Sequence, residues 1–292
     1  MYYKTKSYKA FSVVNYTFLF ALSLLCILPL IHVLAVSLSG SAPAGANLVN
    51  FWPIDFTMDA YAKTIDNRFF LRSLIISGER TILGTVLSMF FITLSAYALS
   101  KDDRVLKGRS VYTWYFIFTL LFSGGIIPSY ILIQNLHMMN TIWALVLPGV
   151  VNVWNLILLM NFFRTIPKEL EEAALIDGAG HFKTLLTVFI PLSTPAIATL
   201  TLFTMVSHWN SWFDGMIYIS RADNYPLATF LQTIIVQQDF TKMNFDPKNL
   251  QDISNRTVKA AQIFIGAMPI LLVYPFLQRY FVKGIVLGAV KE

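Results

Sequence analysis

The stretch that decides the fold is EEAALIDGAGHFKTLLTVFIPL, Glu171 to Leu192. It is acidic at its start, broken by Gly178 and Gly180, and set in a chain that is otherwise unusually apolar. Hydrophobic residues make up 56% of the 292 residues and charged residues 13%, about half the charged share of a typical soluble domain. Pro167 suits the first turn of a helix. Glu169, Glu171 and Glu172 then place negative charge where it complements the helix dipole. Ala173 and Ala174 favour helix and leave a small surface. Gly178 and Gly180 end that helix, and a second begins near His181 and runs to Pro191. The expectation is two short helices around a glycine turn, outside the bilayer but between spans.

On either side of this segment lie long stretches free of Asp, Glu, Lys and Arg: 10–54, 81–100, 110–163, 184–213 and 260–278. A spanning helix needs about 20 apolar residues. The run over 110–163 is therefore too long for one span and must fold back, with Asn135-Leu-His137-Met-Met-Asn140 as its polar break. The chain reads as an all-α integral membrane protein with six spans, roughly 11–38, 72–100, 111–134, 142–163, 190–220 and 258–281. Residues 1–10 precede the first span, 164–190 form the polar segment between spans four and five, and 282–292 are a tail. The first run exceeds the apolar core of a secretory signal and reads as an uncleaved span.

The net charge of +6 does not mark a nucleic-acid binder, because the basic residues flank apolar runs rather than cluster on a polar surface. Lys4, Lys6 and Lys9, then Lys101, Arg104, Lys107 and Arg109, then Arg164, Lys168 and Lys183 fall on one side of the membrane. By the positive-inside bias that side, with both termini, is cytoplasmic. The opposite side carries two longer connectors, 39–70 and 221–257, rich in turn formers and long enough to meet a partner. The single cysteine, Cys26, rules out a disulfide within the chain. His32, His137, His181 and His208 are scattered without ligand spacing, so no metal site is expected.

GAGHFKT invites comparison with a phosphate-binding loop. Phe182 stands where the loop's second glycine belongs, and a helix rather than a strand precedes it. No other segment supplies such a loop, so ATP binding by this chain is not expected.

Glu172-Ala173-Ala174, three residues, Gly178, nine residues, then Val188-Phe189-Ile190-Pro191 resembles the EAA signature of ABC importer membrane subunits. Val188 and Ile190 stand for the usual Ile and Leu. AYALSKDDRVLKGR from Ala96, WNSWFDGMIYI from Trp209 and RYFVKGIVLGAVKE at the carboxyl end resemble the carbohydrate branch, relatives of the maltose transporter permeases. The resemblance covers most of the chain from Arg72 and is closest in flavour to permeases for polysaccharide-derived, some of them acidic, oligosaccharides. It implies a type I importer fold and a coupling helix that docks on a separate ATPase through Glu172, Ala173, Ala174, Asp177, Gly178, Ala179, Lys183 and Pro191. It implies a tail, with Gly288 and Lys291, directed toward the ATPase dimer. It further implies two ATP-binding subunits that hold ATP and Mg, a second permease, an extracytoplasmic solute-binding protein and a bacterial cytoplasmic membrane location. This chain then carries no cofactor and no catalytic residue.

For the substrate path, intramembrane polar residues are the candidates, because burying them in lipid is expensive. Arg80, beside Glu79 in span two, favours acidic substrates if it faces the path and otherwise pairs with its neighbour. His208, Trp209, Asn210 and Trp212 in span five combine aromatic faces with hydrogen-bonding edges, as sugar binding requires. Helical spacing groups His208, Ser211 and Trp212 on one face; an interfacial aromatic belt is the competing reading. An ion-coupled transporter and a membrane scaffold are the rival functions, and neither accounts for the spacing from Glu172 to Pro191.

Overall fold

The computed structural model describes residues 5–241 and 250–289, with side chains for 5–234 and 256–276. All its regular elements are helices: α1 Lys6–Ser37, α2 Ser41–Gly45, α3 Asp59–Asp66, α4 Arg68–Ser100, α5 Arg109–Leu121, α6 Ile126–Asn135, α7 Ile142–Val146, α8 Val153–Phe163, α9 Lys168–Ile176, α10 His181–Thr184, α11 Ile190–Leu192, α12 Thr194–Asn210, α13 Phe213–Tyr218, α14 Leu227–Thr241 and α15 Leu250–Ala289. The chain divides into two compact units, 1–71 with 233–268 and 72–232 with 269–292.

Among the described residues, three helices are long and apolar enough to cross a membrane unaided: Lys6–Ser37, Arg68–Ser100 and Arg256–Phe276 within α15. Three more candidates are bent pairs. Arg109–Leu121 and Ile126–Asn135 meet at 112°, Ile142–Gly149 and Val153–Arg164 at 47°, and His181–Leu192 and Thr194–Asn210 at 85°. The total reaches six when each pair counts as one span. Gly125, at φ +88°, occupies the first break, in a region that L side chains rarely adopt. Ser193 occupies the third, its N–H shared between the carbonyls of Phe189 and Ile190. The expected span over 190–220 is therefore not continuous: it turns at Ser193 and stops at Asn210.

In the first unit, α1 is exposed along most of its length, and only Ala35, Val36 and Ser37 near its end are buried. Ala35 and Val36 pack with Ala44, Val49 and Ala260. The expected connector over 39–70 folds into α2 and α3, and Ser37 meets the Tyr61 hydroxyl at 2.8 Å.

The second unit holds the larger core. Ile92, Ala96, Tyr97 and Leu99 of α4 pack with Leu156, Leu159, Met160 and Phe163 of α8, with Leu185 and Phe189, and with Leu200 of α12. The reason α4 sits inside is its polar stripe. Ser73, Ser77, Arg80, Thr81, Thr85 and Ser88 recur at steps of three and four and are all buried, whereas Ile75, Ile82, Val86 and Phe90 point outward. Lipid is as apolar as leucine, so the polar face turns toward protein. The Leu227 N–H, at the head of α14, donates to Ser77 Oγ at 2.7 Å. The helix α14 lies within the connector expected over 221–257.

Candidate functional site

The segment quoted at the outset forms the two helices and turn expected of it. Pro167 takes the extended N-cap position, one residue before the helix, and α9 follows with Glu169 and Glu171 in its first turn. Gly178 adopts φ +78°. Its N–H donates to Leu175 O at 3.0 Å and the Ala179 N–H to Ala174 O at 2.9 Å, the paired bonds of a Schellman turn. After α10 the helix widens into a π segment over Leu185–Phe189, an irregularity common at functional sites. Ala179, Thr184, Leu185 and Phe189 face inward. Glu172, Ala173, Asp177, Gly178, Lys183 and Pro191 are exposed and Ala174 is half-buried. Among them Ile176 and Phe182 stand out into solvent, 85% and 64% exposed. Large apolar side chains this open, ringed by both signs of charge, make this segment a candidate docking surface.

The segment is tied to the end of α4. Lys101 is only 8% exposed, with Nζ donating to Glu171 Oε1 at 2.7 Å. Nζ also lies 3.8 Å from the Tyr97 ring centre and 4.0 Å from that of Phe189, within cation–π range. Burial lowers the Lys101 pKa from the usual lysine value, against the opposing pull of Glu171. A second tie joins Lys168 to Asp102 at 2.5 Å. That contact lowers the Asp102 pKa and raises that of Lys168. Both ions are exposed, so this pair adds little stability; the buried one fixes position. Nothing local in the sequence marks Lys101, because its partner lies 70 residues away.

A second centre lies where α12 ends. Arg80, 2% exposed, pairs with Asp214 rather than with the adjacent Glu79. One guanidinium nitrogen donates to Ser211 O at 2.9 Å and to Asp214 Oδ1 at 3.2 Å. The other donates to Asp214 Oδ2 and, at 3.4 Å, to Leu145 O. Asp214 also accepts from Ser211 Oγ and from the Gly215 N–H, each at 2.9 Å. The arginine thus bridges the break between α12 and α13 and the end of α7, where helical bonding lapses. Non-helical backbone at membrane depth requires such substitute donors, and the planar five-donor guanidinium suits the task. Of the two readings open for Arg80, the structure shows an ion pair, made with Asp214 rather than with the neighbouring Glu79.

The expected grouping of His208, Ser211 and Trp212 on one helical face also fails. Ser211 is already extended, at φ −71° and ψ 119°, so Trp212 leaves the α12 face. His208 instead packs against α4, where a Cβ on Gly84 would lie 2.6 Å from its ring. Trp209 lines an apolar cavity of about 210 Å³ with Ile82, Met205 and Ile270. Asn210 and Trp212 are exposed. Sequence reasoning missed Asp214 as a partner, although an acid just past an intramembrane helix break was its signal. Gly288 lies within α15 and Lys291 outside the described residues. Among the described residues, no three His, Cys, Asp or Glu side chains group as a metal site.

The family model of the binding-protein-dependent transport system inner membrane component matches residues 2–287. Protein LplC of Bacillus subtilis (strain 168) is 38% identical, over 99% of this chain and 97% of its own. The polygalacturonan/rhamnogalacturonan transport system permease protein YtcP of the same organism is 37% identical, over 97% and 99%. A solved chain of a bacterial ABC transporter involved in import of the acidic polysaccharide alginate superposes with TM-score 0.84 at 31% identity, over 95% of this chain and 98% of that one. The chain belongs to the family of binding-protein-dependent transport system inner membrane components, and is a membrane permease subunit rather than an enzyme.

Proposed function

We propose that the chain is one of two permease subunits of an importer that carries an acidic, polysaccharide-derived oligosaccharide into the bacterial cytoplasm. Two separate ATP-binding subunits hold ATP and Mg, and one of them docks on residues 164–190; an extracytoplasmic binding protein delivers the sugar. Both termini face the cytoplasm, and the tail with Gly288 and Lys291 extends toward the motor. The observation that carries this reading is the combination at α9–α10. An exposed apolar pair, Ile176 and Phe182, sits on a segment keyed by Lys101 to the end of α4, so a push on one moves the other. Motor closure then shifts the spans between inward- and outward-facing states as a rigid-body change. The acidic substrate class is supported by the similarity to the polygalacturonan/rhamnogalacturonan permease and to the alginate importer.

The test is purification of the tagged protein from its native host in mild detergent, with mass spectrometry of what accompanies it. The expected companions are an ATP-binding subunit and a second permease. A chain that emerges alone, or only with itself, contradicts the reading.

A further inference from the structure

In the first unit, the loop between α2 and α3 holds its rings outward. Trp52 is 83% exposed, and Leu48, Phe51 and Phe56 are open as well. The loop is nonetheless fixed. Val49 turns inward and packs with Ala35, Val36, Ala44 and Ala260. The Gly40 N–H donates to Ile54 O and the Thr57 N–H to Leu38 O, each at 3.0 Å. The Ile54 N–H donates to Ser39 Oγ at 3.1 Å. Two side-chain tethers set its level. The His32 ring donates from Nδ1 to Asn50 O at 2.8 Å, which brings the loop back alongside α1 more than a turn before that helix ends at Ser37. Arg256, the first residue of the candidate span Arg256–Phe276, donates to Asn47 Oδ1.

That level is the edge of the bilayer. Lys9 is the last charged residue before the run 10–54. Counted from there, about 20 residues at about 1.5 Å each fill the hydrocarbon core. His32 therefore stands just past the end of the core, and Asn50 with it. Arg256, a charge opening the other span, marks the same boundary. Asp55 is the one charged residue from Gly40 to Met58. A soluble protein that docks and leaves meets a polar rim, which this loop lacks, whereas Trp at the end of a span is the mark of the lipid interface. We propose that residues 48–56 are a membrane anchor, with the Phe51 and Trp52 rings in the headgroup–acyl boundary of the leaflet where α1 ends. Seated there, the loop fixes the depth of the ends of α1 and of Arg256–Phe276. This rests on α1 as a membrane span and not on the motor-docking reading of 164–190, so either can fail without the other.

The experiment uses the full chain, with whatever subunits accompany it, in nanodiscs of phosphatidylcholine and phosphatidylglycerol. In a Cys26→Ser background, a nitroxide is attached to one cysteine at a time: Phe51→Cys, Trp52→Cys, Val14→Cys on the exposed length of α1 or Asp66→Cys at the exposed end of α3. Collision with oxygen, which concentrates in lipid, is compared with collision with a neutral nickel chelate, which stays in water. The oxygen-to-nickel ratio at positions 51 and 52 should be several-fold above that at 66 and below that at 14. A ratio at 51 and 52 equal to that at 66 overturns the proposal, and loss of nickel collisions there on adding the binding protein then makes the loop a protein-docking surface. Weak collision with both reagents overturns it as well, because another subunit then covers the rings.

Discussion

Replacing Arg80 with methionine keeps side-chain length and removes the guanidinium. Asp214, 25% exposed, is left without its counter-ion, and Ser211 O and Leu145 O lose a donor at 2.9 and 3.4 Å. Breaking a buried pair by removing one partner costs about 3–5 kcal/mol. The partial exposure of Asp214 and its remaining bonds from Ser211 Oγ and Gly215 N–H place the expected loss near the bottom of that range, about 3 kcal/mol. The assay is thermal unfolding in lipid nanodiscs across a double-mutant cycle of Arg80→Met, Asp214→Asn and both together. The single arginine variant should be much the less stable, and adding Asp214→Asn should recover part of the loss, because it removes the unpaired charge. Strict additivity of the two changes, or an Arg80→Met variant as stable as the native protein, would refute the assignment of Arg80 as the support of the span-five break.

Gly84→Ala places a Cβ 2.6 Å from the His208 ring and should destabilise the chain by about 1–3 kcal/mol. His208→Ala in the same chain should relieve much of that, which thermal unfolding of the pair will check. Gly178 sits at φ +78°, which proline cannot adopt. Gly178→Pro should therefore insert normally yet hydrolyse ATP without transport in proteoliposomes, and normal uptake would contradict the role of the turn. Gly178→Ala should cost only about 1–2 kcal/mol. Lys101 has its pKa lowered below 10.5 by burial. Between that depressed value and 10.5 the unfolded chain binds the proton more readily, so stability rises with pH in this window. Over the same window Lys101 loses its charge and with it the tie to Glu171. Uptake per ATP should therefore fall at alkaline pH, while Lys101→Arg, always protonated, should move that fall to higher pH. Identical alkaline profiles for the two proteins would exclude the lysine.

Features carried by consecutive residues were legible in the sequence. Charge-free runs announce apolar helices, Asn135–Asn140 announces the turn between α6 and α7, and Gly178 announces the end of α9. The bends were only half legible. Gly124-Gly125 and Pro128 signal an interruption, but a 112° change of direction is set by what the two halves pack against. Pairings across the chain left no local trace. Arg80 and Asp214 lie 134 residues apart, and beside Arg80 the sequence offers the closer but unused Glu79. The span-five cluster misled because helical spacing was extended past Asn210, where the backbone has already left the helix. The helix α14 escaped notice because turn-forming residues on either side of it dominate 221–257.

On the proposed function, residues 164–190 receive the stroke of a separate motor. The most direct measurement is site-specific cross-linking in the assembled transporter, in a Cys26→Ser background because Cys26 is itself exposed. Cysteines are placed singly at Ile176, at Phe182 and, as a control, at Val14 on the exposed face of α1. Cross-links to the ATP-binding subunit that change with nucleotide are expected from positions 176 and 182, and none from position 14. Equal labelling from all three positions, or none from 176 and 182 in a complex that hydrolyses ATP, would contradict that role.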